Sequence, residues 1–340
     1  MSVERARHAL RGEATDTIPI FGAPEHAEFL RFVTGMDPYT HTQEAICQAI
    51  RVWDIDLILG LPETVATPNH DHMYGFQPTE WRHEGSTRHD IFAYDPARDR
   101  GDLASLAVPE IMHQVQTRLD KERALVGDTA LPMGFTFTTC IHYAAEDLDW
   151  LEFLMACVAD ETRIDDLLDR FQAASTKILR AHAQTDLEVM FTHDDIAMNI
   201  GVVQSPRWLR RHLFPRYRAI LQPMRDRGVP VLFATDGNFL EVASDLVDAG
   251  AGGFFLDTPC IGLAALVAAV GPDLVFFTGP APSTMQLGSP QQIRAEISAM
   301  ADIARDLPRF FFHMPGGFTH NTPVANVVAF YEACREYGRR

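Results

Sequence analysis

Short, continuous apolar runs recur along the chain, and helical segments separate most of them. Continuous rather than alternating apolar runs are typical of parallel strands that are buried on both faces. We assign strands to Ile18–Ala23, Asp56–Gly60, Ala124–Asp128 with its continuation Met133–Thr139, Leu187–Phe191, Val229–Phe233, Gly252–Asp257, Leu274–Gly279 and Arg309–His313. Their number and order predict an α/β fold, a single-domain (β/α)8 barrel of the TIM type over residues 1–340. An open doubly wound sheet is the alternative, but no G-x-G-x-x-G motif follows any of these runs.

Helix starts are marked where a hydroxyl residue precedes a proline, because the hydroxyl caps the helix and proline suits its first position. These starts are Ser205-Pro206, Ser289-Pro290 with Gln292 completing a capping box, and Thr322-Pro323. Further helices are predicted at Val3–Arg11, His41–Val52 and Glu146–Ala183. The apolar residues Leu151 and Val158 lie in a crowded part of the last segment, which predicts deep burial.

The segment Thr64–Tyr94 is rich in His, Pro and Gly and has nearly alternating apolar residues. This pattern predicts a hairpin insertion after the second strand, and long insertions of this kind often form lids. Within it, His70 and His72 flank Asp71. On a strand the two imidazoles would share a face, as two ligands of one metal ion should. In a loop they would face solvent or lend one histidine to the main site.

Polar residues follow the strand ends, and the pattern repeats along the chain. His193, Asp194 and Asp195 follow one apolar run, and Asp236 and Asn238 follow the next. A strand, polar tip, helix and second strand form a βαβ unit whose chemistry lies at the carboxyl ends of the strands. One tip alone is equally well explained as turn chemistry. The repetition favours a site, whose candidate residues are His193, Asp194, Asp195, Asp236, Asn238, Asp257, Cys260, His313 and His320.

The predicted metal ligands are His193, Asp236 and His313. Mixed histidine and aspartate ligands suit Zn²⁺, Fe²⁺ or Mn²⁺, and zinc is the ion expected first. Paired carboxylates and imidazoles also serve general acid–base catalysis. The predicted catalytic residues are Asp194, Asp195, Asp236, Asn238, Asp257 and His320. The structural alternatives are that Asp194 and Asp195 cap the following segment and that His313 is a core histidine.

Composition narrows the class of partner. The net charge is −17 over 340 residues, which disfavours binding to nucleic acid or an anionic membrane. The five cysteines are scattered and form no C-x-x-C pair, which predicts a reduced, cytoplasmic protein. There is no signal-peptide pattern and no apolar run of the ~18 residues that a membrane helix needs. We therefore expect a soluble protein that acts on a small molecule, with a homodimer as a candidate assembly.

The chain resembles the uroporphyrinogen decarboxylase superfamily from about residue 186 to its end. The resemblance rests on Asp194-Asp-Ile, Ser205-Pro-Arg-Trp-Leu, Phe214-Pro, Gly228-Val-Pro-Val, Asp236-Gly-Asn, Phe254-Phe-Leu-Asp257, Phe277-Thr-Gly-Pro280, Gly288-Ser-Pro and Pro315-Gly-Gly-Phe-Thr-His-Asn-Thr-Pro-Val-Ala-Asn326. It implies a TIM-type barrel with its site at the carboxyl face. The superfamily contains the porphyrinogen decarboxylase and zinc-dependent methyltransferases that work with corrinoid proteins or thiol cofactors.

The chain departs from both branches at the residues that carry their chemistry. Where the methyltransferases have His-x-Cys-Gly and a second cysteine, this sequence has Ala234, Asp236 and Gly316. The decarboxylases have an arginine-rich first loop and a late Gly-His-Gly. Here the first loop, Gly22–Glu28, lacks arginine, and Pro315-Gly-Gly317 takes the later place. The usual aspartate of the second strand has only Asp56 nearby.

The leading prediction is metal-assisted methyl transfer or demethylation of a small substrate, with a thiol or a corrinoid carried by a partner protein as acceptor. The alternative is a metal-independent decarboxylase or lyase that acts on a small carboxylic acid, a porphyrinogen-like substrate being less favoured. A third prediction, of another class, is a non-catalytic barrel that binds a ligand or partner protein. Metal analysis of untagged protein separates the first prediction from the others.

Overall fold

A computed structural model describes residues 2–22, 24–65, 91–256, 260–314 and 316–340. Contacts divide the chain into two compact units. Unit 1 combines Met1–Pro78, Leu119–Met133 and Phe254–Arg340, and unit 2 combines Thr79–Arg118 and Gly134–Gly253. Most of the predicted insertion Thr64–Tyr94, with its His70-Asp71-His72 motif, lies outside the described residues, as does Asp257.

Unit 1 is built on short parallel strands. The strands are β1 (Ile20–Phe21), β2 (Leu57–Ile58), β3 (Leu131–Pro132), β9 (Gly253–Phe255), β10 (Val275–Thr278) and β11 (Phe310–His313). They are arranged in the order β3-β2-β1-β11-β10-β9. The helices are α1 (Ser2–Arg11), α2 (Ala27–Thr34), α3 (Thr42–Trp53), α12 (Leu263–Val270), α13 (Pro282–Leu287), α14 (Pro290–Ala304) and α15 (Val324–Tyr337). Helix α5 (Val108–Val126) begins in unit 2 and ends in unit 1, and the first residue of β9, Gly253, likewise belongs to unit 2.

Aromatic side chains from these strands fill the interior of unit 1. The ring of Phe21 lies edge-on to Phe255 and Phe277, with centroids 5.3 and 5.2 Å away. Phe277 also stacks on Phe311 with centroids 4.5 Å apart. All four rings are buried. Edge-on and offset contacts of this kind add to the hydrophobic burial, which explains why such short apolar runs form strands here.

Unit 2 contains the parallel strands β4 (Gly134–Thr136), β5 (Met190–His193) and β8 (Val231–Ala234) in the order β8-β5-β4, and an antiparallel pair, β6 (Ala197–Met198) with β7 (Gly201–Val202). Its helices are α4 (Pro96–Asp99), α6 (His142–Asp147), α7 (Trp150–Ala159), α8 (Glu161–His182), α9 (Pro206–Trp208), α10 (Phe214–Arg225) and α11 (Ala243–Ala249), with a π-helical turn at Leu209–Leu213 and 3-10 turns at Ile91–Ala93, Leu103–Ser105 and Leu240–Val242. The predicted α/β pattern, parallel strands joined by helices, is present in both units.

The first part of the predicted third strand, Ala124–Asp128, was misplaced. Residues 124–126 form the end of helix α5, and Gly127, with a φ of 60°, bonds back to Arg123 at the helix end. Strand β3 lies between the two predicted parts, and β4 lies within the predicted continuation Met133–Thr139. A short apolar run at the end of a helix has the same composition as a buried strand, so the pattern could not separate them, although Ala124 is exposed and Leu125 partly exposed in the structure.

The predicted helix Glu146–Ala183 is three helices, α6, α7 and α8, which are broken near Asp149 and Asp160. The predicted burial is also wrong for part of α7, since Leu151 and Val158 are 67% and 78% exposed.

The predicted helix starts at Ser205 and Ser289 are confirmed, and the second has the expected capping box. Helix α15 begins one residue later than predicted, with Pro323 at its N-cap. In the described part of the chain, no helix combines the length and apolar character needed to span a membrane.

Asp56 stabilises the amino end of the sheet in unit 1. It directly precedes β2 and is fully buried. Its carboxylate accepts a hydrogen bond from the backbone N–H of Ile20 at 2.8 Å and lies 3.3 Å from Nη1 of Arg5. It therefore lies at the opposite end of the strand from the carboxyl face, where the resemblance would require a functional aspartate.

We predict an acid-sensitive contribution to stability from His182. The side chain is 1% exposed and its Nδ1 lies 3.0 Å from the carbonyl of Ile178. Burial lowers the pKa of His182 from 6.5 to about 4. Since the unfolded chain takes up the proton first, the folded state should lose about 2 kcal/mol of stability between pH 7 and pH 5. Urea unfolding at the two pH values measures this loss. The His182→Gln variant should show a correspondingly smaller pH dependence, and an unchanged one would contradict the assignment.

Candidate metal centre

Polar residues at the carboxyl ends of two neighbouring strands lie together in unit 2. His193 is the last residue of β5 and pairs in register with Ala234, the last residue of β8. Asp195 and Asp236 follow these two strands. The backbone N–H of Asp236 donates a hydrogen bond to Oδ1 of Asp195 at 3.1 Å. The two strand ends singled out from the sequence are therefore joined in the structure.

Among the described residues, one group of side chains is arranged so that it could hold a metal ion: His142, His193 and Asp195. One ligand atom from each lies within 4.8 Å of the others. Nε2 of His193 is 3.3 Å from Oδ1 of Asp195, and Nδ1 of His142 is 3.6 Å from Oδ2. The two imidazoles meet edge-on with centroids 4.9 Å apart. We call this trio the His–Asp cluster.

His142 has the environment of a metal ligand. Among the described residues, its buried Nδ1 has no hydrogen-bond partner. Its Nε2 lies 3.3 Å from Oε1 of Glu146, one helical turn later in α6. Metal-binding histidines commonly donate their other ring N–H to a carboxylate, which fixes the tautomer and the ring orientation. The residues present therefore fit a divalent metal on the Nδ1 side.

The electrostatics of this pair follow from its burial and its charges. Burial alone would lower the pKa of His142, but the hydrogen bond with Glu146 and the charge of Asp195 raise it above its usual value. Burial alone would raise the pKa of Glu146, yet its hydrogen bond and charge interaction with His142 lower it to about 2. Glu146 is therefore a carboxylate at neutral pH and is suited to hold a ring N–H.

Asp194 is turned away from the cluster into the interior. It is fully buried, and it accepts hydrogen bonds from the backbone N–H groups of Ile141 at 3.1 Å and His142 at 2.5 Å. Tyr217 donates its hydroxyl to the same carboxylate at 2.7 Å. Burial raises the pKa of Asp194, and His142 and the three donors act in the opposite direction. Its carboxylate thus caps the start of α6 and fixes the position of His142.

The loop after β8 is held against the β6–β7 pair. Asn238 donates its backbone N–H to the carbonyl of Met198 at 2.8 Å, and its side-chain oxygen accepts from Leu240 at 3.2 Å. Gly237 has a φ of 81°, and a Cβ there would lie 2.3 Å from the carbonyl carbon of Met198. The side chain of Asn238 is therefore engaged in turn geometry, the alternative considered from the sequence.

The other predicted residues lie in unit 1 or outside the described residues. His313 ends β11 and is buried, with its ring 4.1 Å from that of Phe255 and 5.2 Å from that of Phe21. This environment fits the alternative of a core histidine. His320 is partly buried in the loop after β11, Cys260 is exposed, and Asp257 is outside the described residues. The metal ligands assigned from the sequence stay a prediction, namely His193, Asp236 and His313. The catalytic roles assigned from the sequence also stay predictions.

His142 and Glu146 were missed from the sequence. His142 comes three residues after the apolar and threonine run Met133–Thr139, so it too follows a strand region. His142 and Glu146 are four residues apart, a spacing that places both on one helix face. Either signal could have added them to the candidate site.

Comparison with known proteins identifies the family of the chain. The family model for uroporphyrinogen decarboxylase (URO-D) matches residues 87–337, about three quarters of the chain. The chain belongs to this family. The resemblance predicted from the sequence is thereby confirmed. No curated protein matches the sequence closely enough to count as a relative.

Solved structures support the fold. A methyltransferase from Methanosarcina mazei is 19% identical, with a TM-score of 0.67 over 99% of this chain and 98% of that chain. At this identity the likeness shows the fold alone, and the predicted TIM-type α/β barrel class is confirmed. A protein described as a phosphonomutase from Burkholderia cenocepacia J2315 is 14% identical over 57% of this chain and 83% of that chain. Its TM-score of 0.28 carries no argument.

Proposed function

We propose that this uroporphyrinogen decarboxylase family member binds a divalent metal ion through His142, His193 and Asp195. Zinc is the ion that we propose. The observation that carries the proposal is the geometry of the His–Asp cluster, whose ligand atoms lie within 4.8 Å of one another. Two imidazoles and one carboxylate form a ligand set that suits zinc and leaves a coordination position for a substrate. When bound, the metal would supply a Lewis acid to an oxygen or sulfur atom of the substrate.

The reaction we propose is methyl transfer or demethylation of a small substrate. The family contains both methyltransferases and decarboxylases, and the structural neighbour from Methanosarcina mazei is named a methyltransferase. The histidine and the two thiolate ligands typical of the family's methyltransferases are replaced here by Ala234, Asp236 and Gly316, respectively. In our proposal the His–Asp cluster takes over their task. The acceptor would be a thiol or a corrinoid on a partner protein, in the cytoplasm.

The chain's own residues would orient the ligands and hold protons in place. Glu146 keeps the proton of His142 on Nε2, so that Nδ1 is the basic nitrogen. The backbone N–H of Asp236 restrains one oxygen of Asp195. The rings of Phe137 and Phe191 lie 6.1 and 6.4 Å from that of His193 and limit its rotation. A ligand set that is held rigidly in this way is pre-organised for its metal.

A metal-independent decarboxylase is the second candidate, and the His142–Glu146 pair favours it. The pKa of His142 is raised by its hydrogen bond with Glu146 and by the charge of Asp195, against the effect of burial. An imidazolium beside Asp195 could donate its proton to the carbon that keeps the electron pair when carbon dioxide leaves a small carboxylic acid. Protonated His142 cannot bind a metal through the same nitrogen, so the two candidates exclude each other in one enzyme form.

Metal analysis of untagged protein tests the proposal, with a matched set of variants. We expect about one zinc per chain in the wild type after reconstitution, and strong loss of zinc in His142→Gln and His193→Gln, since each removes an imidazole ligand. His313→Gln should keep its zinc. Loss of zinc in His313→Gln but not in His142→Gln would instead support the ligand set predicted from the sequence. A wild type that takes up no metal would leave the decarboxylase as the better candidate.

A further inference from the structure

Arg100 lies at the centre of a group of carboxylates beside α6. Its side chain is 16% exposed, and Nη1 lies 2.9 Å from Oε2 of Glu146 and 2.6 Å from Oδ2 of Asp147. Its Nε lies 2.5 Å from Oδ2 of Asp102. The guanidinium carbon is also 5.3 Å from the ring centroid of Tyr143. The orientation of the guanidinium is therefore fixed from several sides.

Glu146 connects Arg100 to the His–Asp cluster. Its Oε2 receives Arg100 and the hydroxyl of Thr138, the latter at 2.8 Å. Its Oε1 lies 3.3 Å from Nε2 of His142. The two oxygens of one carboxylate thus have separate partners. A carboxylate that is held through one oxygen presents the other in a fixed direction.

We infer that Arg100 is a positioning residue for the metal: by fixing Glu146, it orients His142 so that Nδ1 points into the His–Asp cluster. The inference rests on the proposed function and adds a residue that touches neither substrate nor metal. Arg100 would affect metal binding only through its contact with Glu146.

The identity of the side chain matters because Glu146 and Asp147 are adjacent carboxylates. The planar guanidinium binds both through Nη1 and a third through Nε, and it stays charged at any physiological pH. Without it, repulsion between Glu146 and Asp147 would favour rotation of Glu146 towards solvent, and His142 would lose its restraint. A lysine ammonium is a single point charge and cannot replace the guanidinium group at all three carboxylates.

The test is the dissociation constant of Zn²⁺, measured by competition with a chromophoric chelator. Loss of such an outer partner typically weakens metal binding about 10- to 100-fold. We expect this range for Arg100→Met and for Glu146→Gln. In the double variant Arg100→Met/Glu146→Gln, the arginine substitution should add less than about twofold, because residues that act through one path are not additive. Arg210→Met is the matched control, since Arg210 binds Asp245 through two bonds of 2.9 and 2.8 Å elsewhere in unit 2.

The outcomes are distinguishable. An unchanged dissociation constant in Arg100→Met, or effects of Arg100→Met and Glu146→Gln that multiply in the double variant, would overturn this inference and leave the proposed function standing. A wild type that binds no Zn²⁺ would overturn the proposed function and the inference with it. If Arg100→Met does not fold, Arg100→Lys decides the question: it keeps a cation among the carboxylates, and we expect its zinc affinity to fall about tenfold, whereas wild-type affinity would refute the inference.

Discussion

Gly237→Ala should lower the free energy of unfolding by about 4 kcal/mol. Gly237 has a φ of 81°, a region that costs a side-chain-bearing residue about 1–2 kcal/mol. A Cβ there would also lie 2.3 Å from the carbonyl carbon and 2.5 Å from the oxygen of Met198. Both are backbone atoms, so the clash cannot be relieved by a rotamer change, and overpacking of this kind adds about 1–3 kcal/mol. Urea unfolding followed by circular dichroism measures the loss.

Gly35→Ala is the control for conformational strain alone. Gly35 has a φ of 71° and a ψ of 0°, and a Cβ there would meet nothing within 4 Å. We therefore expect a loss of only about 1 kcal/mol. If the two variants are equally stable, the contact with Met198 does not constrain the loop. We also expect Gly237→Ala to weaken Zn²⁺ binding, since Asp236, the preceding residue, bonds to Asp195 of the His–Asp cluster.

The fold was predictable from the sequence to the extent that burial dictates it. The apolar runs ending at Phe191, Phe233 and His313 lie in or overlap strands β5, β8 and β11, because a strand buried on both faces places every side chain of such a run out of water. The run at residues 124–126 failed because it ends helix α5, where Ala124 is exposed, Leu125 is partly exposed and Val126 is buried. Only the contacts made by the neighbouring elements separate the two cases.

Exposure was less predictable than secondary structure. Leu151 and Val158 are apolar yet 67% and 78% exposed, whereas Phe153 and Cys157 on the same helix are buried. A helix that is apolar on several sides can turn only one face inward, and its tertiary contacts decide which face that is. An apolar residue on a protein surface is also common in general.

The candidate site was predicted in outline and not in its details. The sequence indicated that polar residues after β5 and β8 converge, and the hydrogen bond between Asp236 and Asp195 joins them. It could not separate the roles of Asp194 and Asp195, since adjacent residues at a strand end point in opposite directions. In the structure, Asp194 turns into the interior and Asp195 faces His193. His142 reaches the same place from helix α6. Its position after the run Met133–Thr139 makes it a candidate, but the tertiary fold is needed to place it beside Asp195.

Asp194→Asn should also lower the free energy of unfolding by about 4 kcal/mol. The carboxylate accepts from two backbone N–H groups and from the hydroxyl of Tyr217, so each oxygen faces donors. An amide places its own N–H₂ against one of these donors, and a buried donor that loses its acceptor costs about 1–3 kcal/mol, more when the lost acceptor was charged. The measurement is urea unfolding in the presence of a chelator, so that metal binding does not contribute to the apparent stability.

Tyr217→Phe is the matched variant for this prediction. It removes one of the three donors to Asp194 and leaves the two backbone N–H groups of α6 in place. A single hydrogen bond to a carboxylate contributes about 1.5–3 kcal/mol, so we expect a smaller loss than in Asp194→Asn. We expect zinc affinity to depend on whether the backbone N–H groups at the start of α6 keep their acceptor, and not on the overall stability. Asp194→Asn, which releases the backbone of His142, should bind Zn²⁺ more weakly, and Tyr217→Phe should bind it nearly as the wild type does. Equal zinc affinities in the two variants would show that Asp194 stabilises the interior without positioning the His–Asp cluster.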